Sequence, residues 1–227
     1  MKIQVIIPTA GLGKRFNSDT PKTLLELKGR LVFLRSCEVF EDMVEVESII
    51  LVVHEDYISE YTDAVKQSGF KKIKKIVSGG STRTGSVRNG LKELDEDTEV
   101  VVIHDGARPL LDKQIAQKAI AMMAKTDALV VAVRVKPTIK EVDPQTLKVK
   151  RTLDRRLLWD IQTPQVFKKD LIVTAYQSDS GDMTDDASMV EKMGKEVIIC
   201  EGSYRNIKIT TPEDMSLATI LLGLDHG

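Results

Sequence analysis

The sequence predicts an α/β fold: a doubly wound, Rossmann-like and mostly parallel sheet of the nucleotidyltransferase type, with a protruding β-arm. Two observations carry the sheet. Six β-branched runs, at residues 3–7, 49–53, 73–77, 100–103, 129–135 and 197–200, lack the polar alternation of a strand with one wet face. Amphipathic stretches of about 10 to 13 residues separate them, the length of a crossover helix. A third observation predicts the arm. Residues 136–152 alternate polar and apolar around Asp143-Pro144-Gln145, as two short strands joined by a turn do.

The first run ends at a glycine-bearing loop, and the third and fourth runs also end in loops rich in glycine and charge. Asp112 is placed to cap a helix whose buried face is Ile115, Ala119, Met122 and Met123. Thr211-Pro212-Glu213-Asp214 combines a cap, a first-turn proline and a carboxylate at the third helical position, which predicts the last helix. The arm is too short to be stable alone and needs a surface to lie on, either its own domain or a second subunit. No repeat, low-complexity tract or linker divides the 227 residues, so residues 1–227 are expected to form a single nucleotidyltransferase domain with an insertion at about 136–152.

Composition excludes several function classes. Thirty-three Lys and Arg against 34 Asp and Glu give a formal net charge of -1, so there is no global positive field for nucleic acid or an anionic membrane. No apolar run approaches the roughly 20 residues that span a bilayer, and the N-terminal apolar run is too short for a secretory signal; the mature protein is expected to begin at Met1. Cys37 and Cys200 lack metal-site or redox spacing and sit among apolar residues, as reduced thiols in a cytoplasmic protein do.

In an open α/β sheet the ligand crevice lies beyond the carboxyl ends of the strands. The first loop there is Pro8-Thr9-Ala10-Gly11-Leu12-Gly13-Lys14-Arg15-Phe16, and Lys22 follows. Its glycines let backbone N–H groups approach a ligand, and its cations suit polyphosphate; the alternative is a solvated basic turn. It is neither a dinucleotide fingerprint, which needs glycine at Phe16, nor a P-loop, which needs glycine at Pro8 and Ser or Thr at Arg15. Asp105, at the end of the fourth run, either holds Mg²⁺ or pairs with Arg108 to stabilise a turn. His104 reads as a packed strand-end residue. The loop from Gly79 to Val87 either offers backbone donors to a base or ribose, or is a glycine turn capped by Ser86. Asp185-Asp186 reads as first-turn acid at a helix start.

Taken together, Ala10-Gly11-x-Gly13-x-Arg15, Pro21-Lys22, Gly79-Gly80-x-x-Arg83-x-x-Ser86-Val87, His104-Asp105-x-Ala107-Arg108-Pro109, Gln162-Thr163-Pro164-Gln165 and Asn206-Ile207-Lys208-Ile209-Thr210 resemble the 2-C-methyl-D-erythritol 4-phosphate cytidylyltransferase family over nearly the whole chain. The resemblance implies transfer of CMP from CTP to that polyol phosphate, with Mg²⁺, in a homodimer with an exchanged β-arm. It gives Arg15 and Lys22 the catalytic role at the α-phosphate. Ala10, Gly11, Gly13, Lys14, Gly80, Ser81 and Ser86 would line the nucleotide site, and Asp105 would meet the ribose or Mg²⁺. Thr138, Arg155, Thr163 and Lys208 would hold the acceptor phosphate. The same loops serve a ribitol 5-phosphate cytidylyltransferase; Thr138-Ile139-Lys140, Thr152-Leu153-Asp154-Arg155 and Trp159 look more like the methylerythritol group. A non-catalytic nucleotide-binding subunit is the reading from another class; it has no need of cations at the α-phosphate. The chain departs from the family pattern at Pro8-Thr9, where a small apolar pair with alanine is usual, at Gly106, where Ala or Ser is, and at Arg205, where an acid is expected.

Overall fold

The structure, a computed structural model, describes residues 1–11, 16, 20–178 and 181–224. Strand β1 (Ile3–Pro8) is flanked in parallel by β4 (Val46–Val53) and β6 (Val100–Ile103). Two-residue strands β2 (Glu26–Leu27) and β3 (Arg30–Leu31) form a small hairpin of their own. Outside β4 lies β5 (Ile73–Ser78), again parallel. On the other side, β7 (Ala128–Arg134) and β11 (Ile198–Glu201) run parallel to each other. Between β6 and β7 lies β10 (Trp159–Lys168), antiparallel to both. The seven-stranded order is β11-β7-β10-β6-β1-β4-β5.

Side chains of a strand alternate between faces, so a run that is apolar throughout must be covered twice. Val5 and Ile7 of β1 enter one core with Ile49, Leu51, Val100 and Val102, covered by α1 (Val32–Glu41), α2 (Ile58–Ser68) and α4 (Lys113–Met122). Ile6 enters the other with Ile50, Val52, Val101 and Phe167, covered by α3 (Arg83–Lys92), α5 (Lys169–Ser178) and α6 (Ala187–Lys192). Each such side chain contributes on the order of 2 kcal/mol by leaving water. A smaller cluster of Leu27, Val32, Ile209 and Ala218 seats α7 (Pro212–Gly223).

The expected fold class holds, and so do the six runs, to within a few residues. Asp112 caps α4 by accepting from Gln114 N at 2.7 Å, and Ala119 and Met123 are buried on its inner face. Thr211 and Asp214 form the capping box of α7, with Pro212 at its first position. The arm is a separate two-stranded sheet, β8 (Lys140–Val142) with β9 (Val149–Thr152). Its tip is held by the Asp143 carboxylate, which accepts from Gln145 N at 3.1 Å and Thr146 N at 2.9 Å. Val142, Leu147 and Val149 on the arm are exposed. Among the described residues, no helix is long and apolar enough to cross a membrane.

Candidate active site

Three loops meet beyond the carboxyl ends of β1, β5 and β6. Thr9 starts the first, donating its N–H (2.7 Å) and its hydroxyl (2.8 Å) to Val52 O. The loop after β5 begins where Gly79 N donates to Val53 O at 2.7 Å. A Cβ at Gly79 would lie 2.3 Å from Ala10 Cβ, so only glycine lets these two loops touch. The cap of α3 is Thr82, which accepts from Gly85 N at 3.0 Å. Ser86, the cap expected from the sequence, sits a turn further on and fastens the loop instead: its hydroxyl donates to Thr82 O at 2.9 Å and accepts from Gly80 N at 3.1 Å. Ala10, Gly11, Gly80, Ser81 and Ser86 thus share one wall, with Gly11 and Ser81 exposed.

Asp105, 5% exposed, leaves the end of β6 into a ring of cations. Arg83 Nε donates to its Oδ1 at 2.9 Å, Lys208 Nζ lies 2.7 Å from Oδ2, and Arg108 Nε is 3.8 Å away. Burial alone would raise the pKa of this carboxyl, but Arg83, Lys208 and Arg108 hold it far below the ordinary carboxylate range. Asp105 is therefore anionic at any working pH.

Arg83 is held from behind. Its Nη1 and Nη2 form a two-pronged pair with Asp186 at 2.9 and 2.8 Å. Asp186 is fully buried, receives the Tyr176 hydroxyl as well, and has its backbone N–H bound by Gln165 Oε1 at 3.1 Å. The expectation for Asp185-Asp186 is thereby divided: Asp185 accepts from Ser188 N at the start of α6, whereas Asp186 is the counter-ion of Arg83. Three cations, Arg83, Arg108 and Lys208, thus converge on the two buried carboxylates, and the Asp160 carboxylate also acts on Arg108.

The remaining neighbours are positional. His104 is buried edge-on to Phe40, with Nε2 at 3.1 Å from Arg108 O and Nδ1 at 3.0 Å from Thr163 Oγ1. Burial lowers its pKa to about 4, so it is neutral near pH 7, in keeping with a packed residue. Thr163 Oγ1 also accepts from Asp105 N at 3.0 Å, so this buried hydroxyl faces the Asp105 backbone. Asn206 ties the loop after β11 to β10, its side-chain amide donating to Thr163 O at 2.8 Å while its backbone carbonyl accepts from Arg108. Arg205 turns away and donates to Leu221 O at 2.7 Å, near the C-terminal end of α7.

Lys22 opens a short 3-10 turn, Lys22–Leu24. The next residue, Thr23, is buried with its hydroxyl 2.6 Å from Tyr61 OH, and Tyr61 OH reaches Thr9 O at 3.5 Å. The Lys22 segment is therefore tied through Tyr61 to the base of the first loop. Gly13, Lys14 and Arg15 lie outside the described residues. Thr138 and Arg155 sit exposed at the root of the arm, where Arg155 donates to Lys136 O at 2.7 Å rather than joining the Asp105 cluster.

The donor set around Asp105 does not fit a Mg²⁺ held by the protein. Both carboxylate oxygens are engaged by cations, and three positive side chains would repel a divalent ion that finds only one carboxylate. Among the described residues no group of three His, Cys, Asp or Glu side chains converges elsewhere.

The sequence pattern of the 2-C-methyl-D-erythritol 4-phosphate cytidylyltransferase family matches residues 3–223. Similar proteins of that name include one from Alkaliphilus metalliredigens, 41% identical over 97% of this chain and 93% of the relative. Another, from Clostridioides difficile, is 39% identical over 97% and 94%. Among solved structures, 4-diphosphocytidyl-2C-methyl-D-erythritol synthase from Anaerococcus prevotii superposes with a TM-score of 0.86 at 33% identity, covering 98% of this chain and 96% of that one. The Francisella tularensis cytidylyltransferase gives 0.80 at 29% identity, covering 97% and 100%.

Proposed function

The chain belongs to the 2-C-methyl-D-erythritol 4-phosphate cytidylyltransferase family, and from that premise we propose which of its own residues carry the transfer. The reaction moves CMP from CTP to 2-C-methyl-D-erythritol 4-phosphate, releasing pyrophosphate, in the non-mevalonate route to isoprenoids. An oxygen of the acceptor's phosphate attacks the α-phosphorus; the new P–O bond forms as the bond to the β-phosphate breaks. That oxygen is already ionised near neutral pH, so no general base is needed. The barrier is the approach of one anion to another, and fixed cations lower it.

The observation that carries this reading is the meeting of three loops around a cluster in which three cations converge on the buried Asp105 and Asp186. Ala10, Gly11, Gly13, Lys14, Gly80, Ser81 and Ser86 line the nucleotide side. Asp105, permanently ionised, accepts a hydrogen bond from a ribose hydroxyl. Arg15 and Lys22 stabilise charge at the α-phosphate, and the tether through Thr23 and Tyr61 supports a fixed position for Lys22. Lys208 and Thr163 flank Asp105 on the acceptor side. An ammonium has three donors, so Lys208 keeps two for an acceptor phosphate while it holds Asp105. Thr138 and Arg155, on an arm that stands clear of the main sheet, serve the crevice of a second subunit in a homodimer. The chain acts as one domain in the cytoplasm, on two water-soluble phosphates.

Initial rates of pyrophosphate release test this. CTP with 2-C-methyl-D-erythritol 4-phosphate is expected to outpace CTP with ribitol 5-phosphate and to outpace ATP, GTP and UTP. Preference for ribitol 5-phosphate would overturn the acceptor assignment.

A further inference from the structure

Two loops of the crevice come into close contact at Gly106. A Cβ there would lie 2.2 Å from Thr9 Cγ2 and 3.2 Å from Ile7 Cγ2. Thr9 cannot turn its methyl away at low cost. It is 3% exposed, its hydroxyl is bound to Val52 O at 2.8 Å, and a β-branched side chain with its hydroxyl fixed has its methyl fixed too. Gly106 is itself held in place, its N–H donating to Pro8 O at 3.2 Å and its carbonyl accepting from Ser36 Oγ at 3.0 Å.

We propose that Thr9 and Gly106 are a matched steric pair, one methyl group set against one missing Cβ, and that together they are positioning residues for the transfer. Thr9 directly precedes Ala10 and Gly11; Gly106 directly follows Asp105. The contact between them fixes the distance between the loop assigned to the nucleotide and the carboxylate assigned to its ribose. The inference rests on the crevice being the CTP site.

Four variants test it: Gly106→Ala, Thr9→Ala, the double variant Thr9→Ala with Gly106→Ala, and Thr9→Ser with Gly106→Ala. Gly106→Ala drives a methyl into Thr9 and is expected to raise the KM for CTP at least tenfold, with a change of threefold or less for the acceptor. Both double variants are expected to return the CTP KM to within threefold of the parent, because each removes the Thr9 methyl; the serine variant keeps the hydroxyl for Val52 O. If Gly106→Ala alone does not fold, recovery of a folded, active enzyme in the doubles is the same result read at an earlier stage. Doubles as impaired as Gly106→Ala, or a Gly106→Ala single with the parental CTP KM, would overturn the pair. A parent without CTP turnover would instead remove the functional assignment, and recovery of melting temperature in the doubles would still judge the steric match.

Discussion

The two ends of the sheet both carry clustered ions at similar distances, and they differ in burial. At the amino ends of the strands, Lys2 Nζ lies 2.7 Å from Asp97 and 3.1 Å from Asp95, and Lys75 Nζ is 3.5 Å from Asp95. These side chains are wet: Asp97 is 74% exposed and Asp95 39%. At the carboxyl ends, Arg83 meets Asp105 and Asp186 at 2.8–2.9 Å, with Asp186 fully buried and Asp105 nearly so. Water screens the first set, so its pairs add little. The second set is held by Arg83, because removing it strands the Asp186 charge in a medium that does not solvate it. Pair distance does not tell a surface decoration from a working cluster; burial does.

Four perturbations sharpen or break that contrast. Arg83→Ala should have the largest effect, leaving the fully buried Asp186 without its counter-ion while Asp105 keeps Lys208 and Arg108. A stability loss of about 3 kcal/mol is expected in urea titration, the low end for a broken buried pair because Arg83 itself keeps some exposure. A loss no larger than that of a surface variant would erase the distinction. Lys22→Ala should lower kcat on the order of 10²-fold while the melting curve stays near the parent's; near-parental turnover would remove Lys22 from the mechanism. The third concerns pH. His104 has a folded pKa of about 4, lowered by burial, against about 6.5 when unfolded. Between these values only the unfolded chain binds the proton, so the contribution is complete above about pH 6.5. It is lost as pH falls toward 4, by up to about 3 kcal/mol. Urea titrations at pH 7, 5.5 and 4.5 should display that slope in the parent and lack it in His104→Gln. Smallest of all, Lys2→Ala should leave turnover unchanged and move the melting temperature by about two degrees or less.

The parallel strands were legible because two-sided burial writes itself as unbroken β-branched runs. The central antiparallel strand β10 was not. It reads Trp-Asp-Ile-Gln-Thr-Pro-Gln-Val-Phe-Lys, with a proline where an interior strand rarely takes one. The structure accommodates it at an irregularity of register between Ile161 and Gln165, where the ladder to β7 is interrupted. The loops of the site were legible from glycine and charge, and Asp105 from its position at a strand tip. What holds Asp105 was not, since Arg83 meets Asp186 across 103 residues and no local spacing encodes that. Thr163, expected near the acceptor, spends its hydroxyl on the Asp105 backbone, a contact that only the folded register creates.

The reversed direction of β10 has an architectural result. Because Trp159 pairs with Arg134 while Lys168 pairs with Val100, both roots of the intervening excursion emerge on the same rim as Asp105. A segment anchored there can be lengthened, shortened or replaced without sliding any neighbouring strand, so this excursion is free to diverge while the loops around Asp105 stay unaltered.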